Sequence, residues 1–213
     1  EKYTEEERYQ VLKMIDRRAN IGGRITIDAY GVENIPKQDG FMFFPNHQGL
    51  YDVLAIIEVC PRPFSVVMKK EVANVPFLKQ VFACMKAIPL DRNDLRQGLQ
   101  VIKQVAEEVK KGRNYLIFAE GTRSRKGNQL LDFKGGSFKS AVKAQCPIVP
   151  VALIDSYKSF DTNSIKKLTV QVHFLEPIPY EEYQGMKTTE IAAMVKGRIE
   201  DTIRQYEGNT VEV

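Results

Sequence analysis

Apolar residues follow two different spacings along this chain, and the two alternate from one end to the other. Between 94 and 111 they recur every three or four residues, which is typical of one face of a helix, and Asp94 with Gln97 forms a capping-box pattern at its start. Between 168 and 175 apolar and polar residues alternate singly, which indicates a strand. The same criteria, together with short continuous apolar runs, predict helices at 4–18, 52–59, 137–144 and 191–203 and strands at 25–30, 41–44, 64–68, 87–90, 115–118 and 148–154.

This order of elements predicts the fold class. Strands that alternate with helices favour an α/β fold in which a mixed, largely parallel sheet has helices on both faces. The 213 residues suffice for one domain with a sizeable core, and no repeat or linker divides 1–213. Ligands of such sheets collect beyond the strand ends, so the polar loops after the strands at 41–44 and 115–118 are where a site is expected.

Residues 1–24 form an amphipathic helical region with two possible roles. Its apolar stripe of Val11, Leu12, Met14 and Ile15 could face a membrane or pack as core. No apolar run approaches the roughly 18 to 20 residues of a spanning helix. The expected location is the cytoplasmic face of the cell membrane, with peripheral binding or through an N-terminal anchor missing from this sequence.

Charge and cysteine usage narrow the range of partners. Lys and Arg number 31 against 27 Asp and Glu, so the net charge is +4, which suits a phosphate ester, an anionic membrane or an acidic carrier protein. The excess is too small to indicate nucleic acid. The three cysteines have no C-x-x-C spacing, which favours a reducing compartment, and no set of side chains has the spacing of a metal site.

A histidine and an aspartate follow the strand at 41–44. His47 has Asp52 five positions ahead, across a bend that contains Gly49. An imidazole held by a carboxylate is a proton acceptor with a fixed tautomer, as a general base requires. Alternatively, Asp52 only begins a helix and His47 is a surface loop residue. The chain's other histidine, His173, is expected on the exposed face of the strand at 168–175.

A second polar loop follows the strand at 115–118. Gly121 permits an unusual backbone conformation, Thr122 offers a hydroxyl, and Arg123 offers a fork of N–H donors for a phosphate. The alternative is a solvated turn. The loop is not a P-loop, because its glycine spacing is wrong, and the chain has no G-x-S-x-G nucleophile elbow. A base at His47 would therefore deprotonate a hydroxyl of the substrate itself.

Four blocks within 41–155 resemble the glycerophospholipid acyltransferase family, specifically its 1-acylglycerol-3-phosphate O-acyltransferases (lysophosphatidic acid acyltransferases). The blocks are N-H-x-x-x-x-D at 46–52, K-x-E-L at 69–72 with an aspartate–arginine pair at 91–92, F-P-E-G-T-R-S at 118–124, and V-P-V at 149–151. Ala119 replaces the proline of the third block. Leu78 and Lys79 stand where relatives often carry glycine, which leaves the acyl-chain preference open.

The resemblance implies a glycerol-3-phosphate acyltransferase-like fold and a fatty acyl transfer from acyl-CoA or acyl carrier protein to lysophosphatidic acid, giving phosphatidic acid with no metal or cofactor. It makes His47 the general base and Asp52 the residue that orients it. The oxyanion formed on attack needs a donor, such as a backbone N–H near Gly49 or Gly121. The residues implied at the substrate phosphate are Lys69, Arg92, Glu120, Gly121, Thr122 and Arg123.

Other interpretations stay open at this stage. Lys69 could be merely solvated, and Arg92 could only pair with a surface carboxylate. The acceptor could be glycerol 3-phosphate or another lysolipid, which parallel acceptor assays would distinguish. The chain could also be a non-catalytic module that binds lipid or acyl carrier protein, which lipid binding without turnover would indicate.

Overall fold

The fold is an α/β arrangement of one sheet and flanking helices. The computed structural model describes residues 2–74, 76, 78–91, 93–162, 164 and 166–207. The helices are α1 (Glu5–Gly23), α2 (Asp52–Val59), α3 (Leu78–Cys84), α4 (Leu95–Lys110), α5 (Lys139–Ala144), α6 (Lys158–Asp161), α7 (Tyr180–Tyr183) and α8 (Thr188–Tyr206). The strands are β1 (Ile25–Tyr30), β2 (Met42–Pro45), β3 (Ser65–Lys69), β4 (Ile88–Leu90), β5 (Tyr115–Leu116), β6 (Ile148–Ile154) and β7 (Leu168–Phe174).

The seven strands form one sheet in the order β1-β7-β6-β2-β5-β3-β4. All neighbouring pairs are parallel except β6 and β7, which run antiparallel. β2 therefore lies between two parallel partners, β5 and β6, and all three strands end at the same edge of the sheet. This edge, called the carboxyl edge below, carries the loops after β2 and β5 that the sequence singled out.

Side chains of the sheet alternate between two cores. On β2 and the residue before it, Phe41 and Phe43 pack with α1, α2 and α3, while Met42 and Phe44 pack on the opposite face with α4, α5 and α8. All four side chains are completely buried, which is typical of a strand in the interior of a sheet covered on both faces. The predicted mixed, largely parallel sheet with helices on both faces is confirmed.

The N-terminal helix packs through a face different from the predicted stripe. Its buried residues are Tyr9, Leu12, Asp16 and Asn20, spaced by three or four positions. The amide of Asn20 accepts a hydrogen bond from the Tyr51 hydroxyl at 2.6 Å, so polar contacts dock the end of this helix. Of the predicted stripe, only Leu12 is buried, and the others, Val11, Met14 and Ile15, are exposed. Among the described residues, no helix is long and apolar enough to cross a membrane.

Strand β7 corrects the expectation for His173. This strand is covered on both faces over residues 170–174, where all five residues are buried. The His173 ring is buried, stacks on Tyr30 with 4.4 Å between centroids, and lies 4.5 Å from the ring of Tyr206 at the end of α8. Alternation alone could not reveal that the last helix ends against this strand.

Candidate active site

The backbone of His47 is fixed between the ends of three strands. The preceding Asn46 accepts from the backbone N–H of Leu153 at 2.7 Å and donates its amide to the Leu153 carbonyl at 3.0 Å, which ties the end of β2 to β6. The N–H of His47 donates to Glu120 Oε1 at 2.7 Å, and its carbonyl accepts from Ser124 N–H at 2.9 Å. The loops after β2 and β5 thus meet at the carboxyl edge, as the sequence predicted for parallel neighbours.

The side chain of His47 faces Asp52. Nδ1 of His47 lies 2.8 Å from Asp52 Oδ2. Asp52 is completely buried at the first position of α2, and the imidazole is partly accessible, with 17% of its side chain exposed. An ionised carboxylate can only accept a hydrogen bond, so Nδ1 carries the proton and Nε2 keeps a free lone pair. This is the arrangement of a general base that can take a proton from a bound hydroxyl.

Glu120 joins the two loops from within the protein. It is buried, and its carboxylate accepts the N–H of His47 with one oxygen and the N–H of Leu131 with the other, at 2.7 and 2.8 Å. Burial raises the pKa of Glu120, and the two backbone bonds act in the opposite direction. Because both oxygens accept backbone N–H groups and the group is acidic, Glu120 positions the loop and does not meet a phosphate directly, unlike the role that the resemblance implies.

Cationic residues belong to the loop that is bonded to His47 and to the segment that follows it. Within the described residues, Arg123 has no carboxylate partner, and neither does Lys134, whose backbone N–H donates to the Ala119 carbonyl at 2.9 Å. The Lys134 side chain runs along Gly121, where a Cβ would stand 3.0 Å from Nζ, and Gly121 has a φ of +71°. The backbone conformation thus favours glycine at this position, and the absence of a side chain lets the lysine approach without a shift.

The remaining residues predicted to bind the phosphate are Lys69, Thr122 and Arg92. Lys69 ends β3 at the carboxyl edge and forms an exposed ion pair with Glu71 at 3.2 Å. Thr122 is exposed in the loop after β5. Arg92 lies outside the described residues.

The two N–H groups suggested for an oxyanion are already used. Gly49 N–H donates to the Asp52 carboxylate, at 3.0 Å to Oδ2, and Gly121 N–H donates to the Phe118 carbonyl at 3.1 Å. The N–H groups of the two glycines themselves are therefore engaged, and a donor near one of them stays a prediction. Among the described groups, the backbone N–H of Thr122 and that of Arg123 have no intramolecular acceptor, and they belong to the same loop.

Other contacts of the site were absent from the sequence analysis. The Phe118 ring stacks on the His47 imidazole, with centroids 3.9 Å apart and planes inclined by 23°. The hydroxyl of Ser156 donates to Asp52 Oδ1 at 2.6 Å. Gln48 donates to Asn128 Oδ1 at 2.8 Å. Phe118 belongs to the third block of the resemblance, but a single sequence does not show that its ring stacks on His47. The contacts of Gln48 and Ser156 join residues 80 and 104 positions apart, and such contacts produce no periodic pattern in the sequence. Among the described residues, no group of three or more His, Cys, Asp and Glu side chains could hold a metal ion.

A histidine–carboxylate pair lies at the carboxyl edge of an α/β sheet, and the loop bonded to it carries cations without a carboxylate partner among the described residues. This arrangement suits proton abstraction from an anionic substrate. The family model described as Acyltransferase matches residues 26–154, more than half of the chain, and this protein belongs to that family.

Curated relatives and one solved structure agree with this assignment. The chain is 31% identical over 172 residues to the 1-acyl-sn-glycerol-3-phosphate acyltransferase of Salmonella typhimurium, covering 80% of this chain and 70% of the relative. It is 29% identical over 185 residues to the enzyme of that name from Saccharomyces cerevisiae, covering 85% of this chain and 61% of the relative. The fold matches the crystal structure of the 1-acyl-sn-glycerophosphate acyltransferase from Thermotoga maritima with a TM-score of 0.78, at 22% identity, over 94% of this chain and 80% of that one.

Proposed function

We propose that this protein is a 1-acylglycerol-3-phosphate O-acyltransferase, which transfers a fatty acyl group from a thioester to the sn-2 hydroxyl of lysophosphatidic acid and so forms phosphatidic acid. The observation that carries the proposal is the 2.8 Å contact between His47 Nδ1 and Asp52 Oδ2, within a loop bonded to the segment that holds the unpaired Arg123. The relatives described above are named for this activity, and an acceptor with a phosphate suits a cationic loop.

The proposed reaction is a direct transfer. Nε2 of His47 takes the proton from the acceptor hydroxyl while the hydroxyl oxygen bonds to the thioester carbonyl carbon. Asp52 accepts from Nδ1–H and stabilises the imidazolium that forms. The carbon–sulfur bond then breaks, and the leaving thiolate takes the proton from the imidazolium. Protons and charges balance without an acyl-enzyme, a metal or a cofactor.

The acceptor phosphate is proposed to bind at the loop after β5. Arg123, Lys134 and the N–H of Thr122 supply positive charge and donors, with Lys69 as a further cation of the same edge. Arg92 is proposed as another phosphate ligand on the sequence resemblance alone. Gly121 allows the close approach of Lys134, and Glu120 keeps the loop against His47. The thioester is proposed to come from acyl-CoA or acyl carrier protein, both of which carry negative charge.

The protein is further proposed to work at the cytoplasmic face of a membrane as a peripheral protein. Its acceptor and product are lipids. The exposed apolar side chains on α1 and the net charge of +4 are the features that support contact with an anionic bilayer.

The test is to incubate the purified protein with lysophosphatidic acid and either acyl-CoA or acyl carrier protein, and to detect phosphatidic acid by mass spectrometry. We expect product with the natural chain. We expect His47→Ala to lose activity by about 10²- to 10⁴-fold, because that is the usual contribution of a general base. Thermal unfolding would verify that the variant is folded. Undiminished turnover by folded His47→Ala would refute the role of the imidazole.

Parallel acceptors decide between members of the family. Product from glycerol 3-phosphate, or from a lysolipid without phosphate, but not from lysophosphatidic acid would assign the site to another acceptor. Binding of lysophosphatidic acid with no turnover from either donor would make the chain a binding module.

A further inference from the structure

The carboxylate of Asp52 has more hydrogen-bond donors than the imidazole alone. Oδ2 accepts from His47 Nδ1 and from the backbone N–H of Gln48 at 2.7 Å, and both oxygens are within reach of Gly49 N–H, at 3.0 and 3.1 Å. These donors all come from the loop that joins β2 to α2. They fix the carboxylate relative to its own loop, but they do not attach it to the rest of the sheet.

Ser156 makes that attachment. It follows β6, it is completely buried, and its Oγ donates to Asp52 Oδ1 at 2.6 Å across a separation of 104 residues. Among the described residues, the other donors to Asp52 all lie within the 47–52 loop, and Ser156 alone lies outside it. A bond this short to an ionised oxygen belongs to the stronger, charge-assisted class.

The turn that carries Ser156 is itself fixed to the site. The N–H of Asp155 donates to Asn128 Oδ1 at 2.9 Å, and the same amide oxygen accepts from Gln48 Nε2 at 2.8 Å. The carbonyl of Ser156 accepts from the Ser159 hydroxyl at 2.7 Å. The hydroxyl of Ser156 therefore reaches Asp52 from a backbone with little freedom to move.

We propose that Ser156 is a positioning residue of the catalytic pair, which holds Asp52 Oδ1 so that Oδ2 faces His47 and draws negative charge away from the imidazole. The proposal rests on the proposed function, in which His47 is the base. It concerns a residue outside the four blocks of the family resemblance, since the V-P-V block ends at Val151.

The withdrawal of negative charge from the imidazole has a direct consequence for activity at acid pH. Without the Ser156 hydroxyl, more negative charge remains on Asp52, so the imidazolium is stabilised and His47 is lost as a base at higher pH. Other charged groups surround the pair. Both oxygens of Glu120 accept backbone N–H groups, and Asp155, next to Ser156, forms an ion pair with Lys158 at 2.9 Å. Arg123 and Lys134 belong to the loop bonded to His47 and the segment after it, and Ser156→Ala leaves all these groups in place.

The test compares Ser156→Ala with Ser140→Ala, which removes another buried serine hydroxyl, in α5. For Ser156→Ala we expect kcat to fall by about tenfold, the scale of one charge-assisted hydrogen bond, while KM for lysophosphatidic acid changes by less than about twofold. The acid limb of kcat/KM should move to higher pH. Ser156→Cys, which keeps a weak donor of similar size, should restore part of kcat, and Ser140→Ala should match the natural chain.

A measurement without substrate separates this proposal from the proposed function. The chain has two histidines, so their ring signals can be followed by NMR as the pH is changed. Ser156→Ala should move the titration midpoint of His47 to higher pH and leave that of His173 in place. The positioning role would be overturned if the titration midpoint of His47 and the acid limb of kcat/KM were the same in the natural chain and in Ser156→Ala. This holds even if His47→Ala is inactive. Equal losses of kcat in Ser156→Ala and Ser140→Ala would overturn it too.

Discussion

His47 is restrained at four points, two on its backbone and two on its imidazole ring. Its backbone N–H and carbonyl are bonded to Glu120 and Ser124, Nδ1 is bonded to Asp52, and one ring face lies on Phe118. Among the contacts of the described residues, Nε2 and the other ring face of His47 are not used, and these are available to a substrate. Such restraint lowers the entropy that must be lost when the base meets the acceptor hydroxyl, which is a large part of the catalytic effect of a bound base.

The cations beside this base give a prediction about the acceptor. Arg123→Ala and Lys134→Ala should each raise KM for lysophosphatidic acid by about 10- to 100-fold with little change in kcat, because each removes a charge-assisted contact to the phosphate. Monoacylglycerol, which lacks the phosphate, should be used with the same poor efficiency by all forms. The measurement is steady-state kinetics with both acceptors.

Lys126→Ala is the matched control for these two variants. Lys126 is an exposed cation of the same loop, so its removal changes the net charge equally. Equal increases of KM in all three variants would show a general effect of charge and would exclude a specific phosphate contact at Arg123 and Lys134.

At the scale of residues, sequence reasoning reached those groups whose partners lie close along the chain. The pairing of His47 with Asp52 spans five positions, and the loop after β5 was recognisable by its residue types. Ser156 and Lys134 were not recognisable, because the contacts of Ser156 cross 104 residues and the approach of Lys134 to Gly121 depends on how a 13-residue loop folds back. Residue types also could not show that the N–H groups of Gly49 and Gly121 themselves are used within local turns.

At the scale of elements, the positions of the seven strands and of the longer helices followed from periodicity, but the short helices α3, α6 and α7 were missed, and the surroundings of the elements could not be predicted. The spacing of apolar residues located α4 and the strands, while β5 proved to be only two residues long and α8 begins at Thr188. The buried face of α1 includes Asp16 and Asn20, polar residues that a hydrophobic pattern cannot select. The environment of His173 depends on Tyr206, which is 33 positions away in sequence.

The buried histidine of β7 leads to a prediction about acid stability. Burial lowers the pKa of His173 from its ordinary value of 6.5 to about 4. The unfolded chain therefore binds a proton at this residue before the folded chain does, and the free energy of unfolding decreases as the pH falls from about 6.5 to about 4, by up to about 3 kcal/mol. His173→Gln should lack this contribution, which chemical denaturation at several pH values would measure.

The test compares how the free energy of unfolding depends on pH in the natural chain and in His173→Gln. Above pH 7 the natural histidine is neutral in both states, so the difference between the two proteins there reflects packing and the 2.9 Å hydrogen bond between His173 Nε2 and Gln171 Oε1. Below pH 6.5 this difference should shift in favour of His173→Gln. Parallel profiles from pH 7.5 to pH 4 would contradict the effect of burial.

At the scale of the whole molecule, the sheet order determines what the carboxyl edge can collect. β2, β5 and β6 are adjacent and parallel, so His47, the loop that begins at Glu120, and Ser156 meet although they are distant in sequence. The sequence predicted that His47 and Glu120 meet on the condition that their strands are neighbours, and it did not predict the place of Ser156. It did not predict that β1 and β7 run opposite to the other strands, since their pairing depends on contacts between the two ends of the chain.

The exposed side of α1 leads to a prediction about lipid surfaces. Ile15 and Ile21 are 42% and 70% exposed, and burying one such side chain in a bilayer interface contributes roughly 1.5 to 3 kcal/mol. Ile15→Glu and Ile21→Glu should therefore each weaken binding to vesicles of phosphatidylcholine and phosphatidylglycerol by about tenfold or more. Cosedimentation measures this binding, and turnover of a short-chain, water-soluble acceptor should stay unchanged.

Gln10→Glu adds the same charge to an exposed polar position of the same helix. It should reduce vesicle binding only slightly. If all three variants bind equally well, the membrane contact lies elsewhere on the molecule.

The central place of β2 in the sheet also determines how its backbone hydrogen bonds open. Three strands lie on each side of it in the sheet, and its four side chains are completely buried. Its backbone amides should therefore exchange with deuterium only through the rarest and largest openings, whereas those of β1 and β4, at the two margins, should exchange through small ones. Fraying that begins at either margin would thus reach the strand that ends at His47 last.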